Sequence, residues 1–335
     1  MRKILCLEKN GSLSSFMARR ILPLAVAVAM TGCAQGSSVN PAQSFGSPHA
    51  LLWPATHFYG NDWVYASQPS DNEIVAYKRK KNSDTLKPYE TMTGFSAPMG
   101  MVATPDGQWY IANSGSSNIL IYRTTRHGPQ PKAILSDDGE IPVNVAATPK
   151  QKLVAVSNFS STGTGAGSVS VYLSKQSVPS RVLTYGSDPI QGAGVAIDSG
   201  GNCYWSFYDP KKISGSIVEF VGCDGSGTLL RSGILKPGGV AFDESGNLYY
   251  VDELLGIFQC RGRSSCHLFV SIGGLLGLIL PTNINFDRRS PQSLWVADAG
   301  GYIDGINLEG IIVYLLEGLG GAQYPPIGIA PSPGG

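Results

Sequence analysis

Apolar residues along the chain occur in short runs separated by turn residues, and one such unit recurs. Its clearest copy spans residues 239–252, where two apolar runs flank a Ser-Gly-Asn turn. Gly and Asn tolerate the positive φ that a tight hairpin needs, so the unit predicts strand, turn and strand. The six anchor positions at which its copies begin lie 44 to 50 residues apart by subtraction of their numbers: Gly100, Asn144, Gly194, Gly239, Asn283 and Gly328.

A period of roughly 40 to 50 residues is found both in helical repeat arrays and in β-propeller blades. Strands are indicated here, because runs such as 109–112 and 248–251 are rich in β-branched and aromatic residues. Turn residues also interrupt the chain too often for long helices. A third apolar run follows each hairpin and a fourth follows most of them. Four antiparallel strands make one blade, so the sequence predicts an all-β, six-bladed β-propeller.

The two ends of the chain predict how this ring closes. Residues 328–335 contain only the first strand of a repeat and its turn, and the missing continuation is found at residues 62–67, which align with residues 247–252. One blade is therefore expected to be shared between the termini. Pairing the C-terminal strand with the N-terminal blade removes free sheet edges and holds the ring shut.

The N-terminus resembles a bacterial lipoprotein signal peptide. Arg19 and Arg20 precede an apolar run, 21–30, that is too short for a membrane-spanning helix. The sequence Met-Thr-Gly-Cys that follows resembles a lipobox, whose cysteine, here Cys33, is lipid-modified and becomes the first residue of the mature chain. An ordinary cleaved signal with a chance cysteine is the alternative, and Met17 is an alternative start.

This resemblance divides the chain into three segments. Residues 1–32 are expected to be the signal peptide, and residues 33–50, rich in Ser, Gly, Pro, Asn and Gln, a flexible tether. Residues 51–335 are expected to form the propeller. The protein is therefore predicted to be exported and anchored to a membrane of the cell envelope through lipid.

Four of the six cysteines lie within the repeats, an even number in a compartment where disulfides persist. Three pairings are possible. Cys203 opens the second strand of its repeat and Cys223 follows the third, so a hairpin brings them together, while Cys260 and Cys266 flank a turn in the next repeat. We therefore predict the pairs 203 with 223 and 260 with 266. Neither the cysteine spacing nor the scattered histidines suggest a metal site.

The charge of the chain argues against nucleic acid as a partner. Net charge is +1, only 15% of residues are charged, and the longest basic run is 78–81 at a predicted hairpin tip.

Two stretches, 271–280 and 309–321, are apolar and rich in glycine where other repeats have polar connectors. They are interpreted as strands packed between blades, with an exposed apolar lip for a partner or lipid as the alternative.

Motifs of hydrolases, nucleotide-binding loops and metalloproteases are missing from the sequence. The segments 110–113 with 118–122, and 295–298, instead resemble the strand, Asn or Asp, loop, strand signature of NHL and YVTN-type β-propellers. In those repeats the Asn or Asp mainly orders the next turn through its short side chain, while Ser67 and Phe207 depart from the pattern. The candidate binding residues at the channel mouth are Asn113, Asn144, Asn158, Asp252, Asn283 and Asp298.

A gluconolactonase-like hydrolase or lyase is the enzymatic alternative on this architecture. The resemblance implies a metal in the central channel, held by Asn, Asp and Glu side chains that commonly precede the anchor glycine. A hard cation needs converging oxygen ligands, which these positions do not offer, so neither a metal nor a cofactor is predicted. The residues at those positions are Met99, Val143, Ala193, Gly238, Thr282 and Ile327.

The sequence thus favours a monomeric, non-enzymatic scaffold that binds a protein, glycan or small ligand through loops at one end of the channel. The gluconolactonase-like enzyme and a purely structural role in the envelope are the alternatives.

Overall fold

The computed structural model describes residues 63–79, 86–125, 128–162, 165–262, 265–273, 278–287, 292–316 and 326–332. The predicted signal peptide, the tether and Cys33 lie outside the described residues. The described residues belong to one unit, His49–Gly335, and form 24 β-strands in six antiparallel sheets of four. Among them no helix is long and apolar enough to cross a bilayer. The predicted six-bladed β-propeller is therefore confirmed.

The blades follow one another along the chain, apart from the first, which takes its innermost strand from the C-terminus. Strands are numbered in chain order and given from the innermost strand outward. Blade 1 contains β24 (Gly328–Pro331), β1 (Trp63–Gln68), β2 (Glu73–Arg79) and β3 (Leu86–Met92), and blade 2 contains β4 (Pro98–Ala103), β5 (Gln108–Asn113), β6 (Asn118–Thr125) and β7 (Gly128–Ser136). Blade 3 contains β8 (Glu140–Ala147), β9 (Leu153–Ser161), β10 (Ser168–Leu173) and β11 (Arg181–Leu183). The strands of blades 4 to 6 are β12 (Gln191–Ile197), β13 (Cys203–Asp209), β14 (Ser214–Phe220) and β15 (Thr228–Ile234); β16 (Pro237–Phe242), β17 (Leu248–Asp252), β18 (Gly256–Arg261) and β19 (Ser265–Ser271); β20 (Pro281–Phe286), β21 (Ser293–Asp298), β22 (Tyr302–Asn307) and β23 (Ile312–Leu316).

The core of the molecule lies between blades rather than within them. Each of the six hydrophobic clusters joins two neighbouring blades, and the cluster around Val64 and Trp295 joins blade 6 to blade 1. The second strand of a blade is therefore covered on both faces, which is why β1, β5 and β21 are buried along their whole length. Burial on both faces explains the continuous apolar runs that mark these strands in the sequence.

The ring closes in blade 1, where β24 pairs with β1. The Ser67 hydroxyl accepts a hydrogen bond from the Gly328 amide at 2.8 Å and donates one to the carbonyl oxygen of Met99 in blade 2, also at 2.8 Å. In this register Gln68, and not Ser67, occupies the position equivalent to Asp252. The sequence alignment misses this because no turn joins β24 to β1, so nothing local in the sequence fixes the register of this strand pair.

Both predicted disulfides are present, Cys203–Cys223 and Cys260–Cys266. Cys260 and Cys266 lie directly opposite each other in the β18–β19 hairpin, while Cys223 follows the strand that pairs with Cys203. The cysteines of the first pair are 20 residues apart in sequence and those of the second pair are 6 apart. For loops of these lengths the loss of entropy in the unfolded chain stabilises the fold by about 3 and about 2 kcal/mol, respectively.

The contact between Gly328 and blade 2 yields a test of ring closure. A Cβ atom on Gly328 would lie 2.2 Å from the Met99 carbonyl oxygen, which is backbone and cannot move aside independently. We expect Gly328→Ala to lower the free energy of unfolding by about 3 kcal/mol, measured by urea denaturation. Gly200→Ala is the control, because its Cβ would approach only the ends of two side chains, at 3.2 Å. Equal stability of both variants would contradict the assigned closure.

Candidate functional site

The loops at one end of the ring, here called the upper face, contain most of the predicted binding residues. Pro237 at the start of β16 pairs with Asp252 at the end of β17, so the interblade loops and the loops after the second strands emerge together. Asn113, Asn158 and Asp298 occupy the position of Asp252 in their own blades. The sequence pattern thus locates one face of the propeller.

Asp252 and Asp298 hold the loops of this face by hydrogen bonds to backbone amides. The Asp252 carboxylate accepts from the amides of Leu235 at 2.8 Å and Leu254 at 3.1 Å. The Asp298 carboxylate accepts from the amides of Ile279 at 2.7 Å and Leu280 at 2.8 Å. Both carboxylates are buried. Their direct role in the structure is therefore to position loops, as the repeat signature implies.

Asn113 and Asn158 make comparable local contacts. The Asn113 side chain accepts from the Ser96 amide at 2.7 Å, which fixes the loop before β4. The Asn158 amide group donates to the hydroxyls of Ser168 at 3.0 Å and Ser170 at 2.9 Å. All of these groups lie below the surface of the upper face, since both asparagines are buried.

Asn144 and Asn283 lie apart from these four residues, on the innermost strands β8 and β20. They belong to blades 3 and 6, which are on opposite sides of the ring. Each packs against the anchor glycine of the preceding blade: a Cβ on Gly100 would lie 2.8 Å from Asn144 Nδ2, and one on Gly239 would lie 3.0 Å from Asn283 Oδ1. The structure therefore does not bring the six predicted residues together at one point.

A side chain that sequence reasoning did not select connects two blades that are not adjacent in the ring. Asn285 Nδ2, on the innermost strand of blade 6, donates to the carbonyl oxygen of Met101 on the innermost strand of blade 2 at 3.3 Å. Blade 1 lies between these blades, so the side chain passes the innermost strand of blade 1 on its channel side. Nothing in the repeat pattern distinguishes this asparagine, because its bond partner is a backbone atom 184 positions away.

The loops held by Asp252 and Asp298, together with the loop that Asp209 holds in blade 4, present apolar side chains to solvent. We call this set the apolar rim; it belongs to the upper face of blades 4 to 6, and its members are between 43% and 75% exposed: Ile213, Leu235, Leu254, Leu255 and Ile279. Three ion pairs accompany it on the same face: Lys211 with Asp188, Lys212 with Asp209 and Lys236 with Glu253.

The two interpretations of stretch 271–280 each describe part of it. Leu278 is buried in the core between blades 5 and 6, whereas Ile279 is 54% exposed, and residues 274–277 lie outside the described residues. In stretch 309–321, Ile311 is exposed, and residues 317–321 also lie outside the described residues. The adjacent pair Leu254–Leu255 was the missed signal for the rim, because no other turn after a second strand has two adjacent leucines.

Two carboxyl groups are buried beneath the upper face with a raised pKa. Burial, and then the charge of Asp298, raises the pKa of Asp304 to about 8. Burial raises the pKa of Asp137 to about 6, against the lowering effect of hydrogen bonds from Ser170 and its neighbours. Asp304 Oδ2 and Asp137 Oδ2 have no hydrogen-bond partner among the described residues. At neutral pH Asp304 is therefore mostly protonated in the folded protein, whereas Asp137 is mostly ionised.

Within the described ranges, no group of three or more His, Cys, Asp or Glu side chains is arranged to hold a metal ion.

Comparisons with known proteins show a similarity of fold only. No protein family and no curated protein matches the chain. A chain of the nidogen/laminin complex superposes with a TM-score of 0.59 at 17% identity, covering 82% of this chain and 99% of that one. A functionally unknown protein from Desulfotomaculum acetoxidans superposes with a TM-score of 0.54 at 13% identity, covering 82% of this chain and 100% of that one. Regucalcin, a calcium-binding protein from Agrobacterium tumefaciens, superposes with a TM-score of 0.47 at 14% identity, covering 66% of this chain and 74% of that one. At such identities the first two likenesses show a shared fold, the β-propeller.

The raised pKa of Asp304 predicts a pH-dependent stability. A group whose pKa is raised on folding stabilises the folded state fully below its unfolded pKa and loses that contribution as pH rises through the folded value. Asp304 should therefore cost stability between pH 5 and pH 9. Asp304→Asn, which mimics the neutral form, should be more stable than the unsubstituted protein at pH 9 by about 2 kcal/mol or more, with a smaller difference at pH 5.

The measurement is urea unfolding at both pH values. Asp188→Asn, in an exposed ion pair on the same face, is the control and should not change the pH dependence. A difference between Asp304→Asn and the unsubstituted protein that is the same at pH 5 and pH 9 would show that Asp304 does not titrate as assigned.

Proposed function

We propose that this protein is an exported, lipid-anchored scaffold that binds a protein partner through the apolar rim. The observation that carries the proposal is that Asp252 and Asp298 bind the backbone amides of rim residues Leu235, Leu254 and Ile279. These apolar side chains are thus held in place while exposed. Several exposed apolar side chains on one face of a domain are typical of an interaction site.

The energetics favour a protein rather than a glycan. Fully burying one Leu or Ile side chain contributes about 1.5–3 kcal/mol, so covering several half-exposed ones supports a complex. Loops already fixed by hydrogen bonds lose less conformational entropy on association, which leaves more of that energy for binding. A sugar surface offers mainly hydroxyl groups and would leave these side chains without apolar contacts.

Two features support export and anchoring. The lipobox-like sequence ending at Cys33 predicts lipid modification, and two or more acyl chains anchor a protein stably. The disulfides Cys203–Cys223 and Cys260–Cys266 fit an oxidising compartment outside the cytosol. The gluconolactonase-like alternative stays a prediction from the sequence, and a lactone hydrolysis assay with added divalent metal tests it directly.

The rim is tested with a double substitution, Leu254→Ser with Leu255→Ser. Immobilised propeller domain should retain a defined envelope protein, identified by mass spectrometry and then purified, and the variant should bind that protein at least about 10-fold more weakly by surface plasmon resonance. Both residues are about half exposed in a turn, so the fold should survive.

The matched control is Leu229→Ser with Leu268→Ser, which changes two equally exposed leucines on the outermost strands β15 and β19. It should bind like the unsubstituted protein. Equal loss in both variants, or none in the rim variant, would reject the rim as the binding surface.

The anchor is tested by Cys33→Ser in a bacterial host fed an alkynyl fatty acid. The unsubstituted protein should incorporate the label and fractionate with membranes, whereas the variant should lose the label entirely, because serine offers no thiol for the lipid. Cys6→Ser, within the predicted signal, should keep the label. Labelling that persists in Cys33→Ser would contradict lipid attachment at this residue.

A further inference from the structure

The opposite end of the ring, the lower face, carries a cleft between blades 4 and 5. It has a volume of about 300 Å³ and lies between the turns that join the first two strands of each blade. Three carboxylates line it, from Asp198, Asp243 and Glu244, and none of its described lining residues is basic. Its apolar floor is made of Tyr204, Phe242, Leu230 and Leu248.

The two turns beside the cleft share one sequence, Asp-x-x-Gly-Asn-x-Tyr, at residues 198–204 and 243–249. In blade 4 the Asp198 carboxylate accepts from the Asn202 backbone amide at 2.8 Å, from its side-chain amide at 2.9 Å and from the Tyr204 hydroxyl at 3.1 Å. Asp243 accepts from Asn247 and Tyr249 in the same way. The cleft walls are therefore rigid, and their carboxylates are fixed in place before any ligand arrives.

The two blades differ in the residue that meets the tyrosine from the third strand. In blade 5, Gln259 donates a hydrogen bond to the Tyr249 hydroxyl, and this hydroxyl in turn donates a hydrogen bond to Asp243. In blade 4 the equivalent residue is Glu219, 1% exposed, and the Tyr204 hydroxyl lies 2.9 Å from its carboxylate. A single hydroxyl proton is shared there between Asp198 and Glu219. Each wall thus carries two acidic residues, Asp198 and Glu219 in blade 4 and Asp243 and Glu244 in blade 5.

These features select the ligand by charge and by shape. Three lining carboxylates with a fourth behind Tyr204 repel anions and attract cations. The rings of Tyr204 and Phe242, 4.8 Å apart in a T-shaped arrangement, offer an aromatic surface that favours alkyl chains and ammonium groups. A volume of about 300 Å³ is at the small end for ligand pockets. We propose that this cleft binds a small organic cation, of the class of aliphatic di- and polyamines.

The geometry also excludes a bare metal ion as the main ligand. The oxygen atoms of Asp198 and Asp243 already accept hydrogen bonds from their own turns, whereas a hard cation needs six or more oxygen ligands directed at it. An alkylammonium group needs only nearby negative charge and an apolar bed for its methylene chain.

The experiment titrates spermidine into the purified propeller at low ionic strength, with binding measured by calorimetry. We expect saturable one-site binding that weakens with added salt. Glu219→Gln, which copies the residue that blade 5 carries, and Glu244→Gln, at an exposed position, should each weaken binding about 4-fold or more. Arg261, exposed beside Gly262 at the edge of the cleft, opposes a cation, so Arg261→Gln should strengthen binding.

Asp188→Asn is the matched control, because it removes one carboxylate from the upper face. It should leave spermidine binding unchanged, and a neutral diol of similar length should not bind. Equal weakening by Asp188→Asn would reduce the effect to the net charge of the protein, and absence of saturable binding would overturn the proposal. The apolar rim variant serves as a further control, since the rim lies on the other face and its loss should not alter spermidine affinity.

Discussion

The structure depends on the close contact between innermost strands of neighbouring blades. At Gly100, Gly194, Gly239 and Gly328 a Cβ atom would lie 2.2 to 3.0 Å from the backbone of the next blade. Glycine is required there because no other residue permits that approach. The same contact, made between blades 1 and 2 by Gly328, joins the two ends of the chain. At these four of the six interfaces the contact sets the distance at which the hydrophobic cluster between the blades packs.

A narrow interior has a consequence for function. Four of the six anchors are glycine, and the other two, Asn144 and Asn283, pack against the anchor glycines of the preceding blades. Asn285 extends past blade 1 to the carbonyl oxygen of Met101. Side chains that could bind a partner are therefore placed at the two faces. The upper face carries apolar side chains on loops held by buried aspartates, while the lower face carries carboxylates around a cleft.

The repeat pattern was sufficient to predict the fold, and the reason is local. Blade number, strand order, ring closure and both disulfides follow from hairpins whose apolar runs and turn residues are contiguous in sequence. Register in blade 1 was not predictable to one residue, as Gln68 shows, because the two strands that pair there come from opposite ends of the chain and no turn joins them. The site was predicted only in part. The sequence identified Asp252 and Asp298 as residues that order loops. It did not identify the apolar side chains on those loops as exposed, because exposure is known only from the three-dimensional structure.

Repetition also explains where specific features can arise. A residue that recurs in most blades is accounted for by the fold, as the aspartate and asparagine at the ends of four second strands are. A departure in one blade needs another reason. Leu254 and Leu255 are adjacent leucines in the turn of blade 5, and Glu219 in blade 4 stands where blade 5 has Gln259. A buried glutamate costs more desolvation energy than a glutamine of the same shape. Glu219 hydrogen-bonds the Tyr204 hydroxyl behind the cleft, so the two walls share their fold and differ in the chemistry behind the tyrosine.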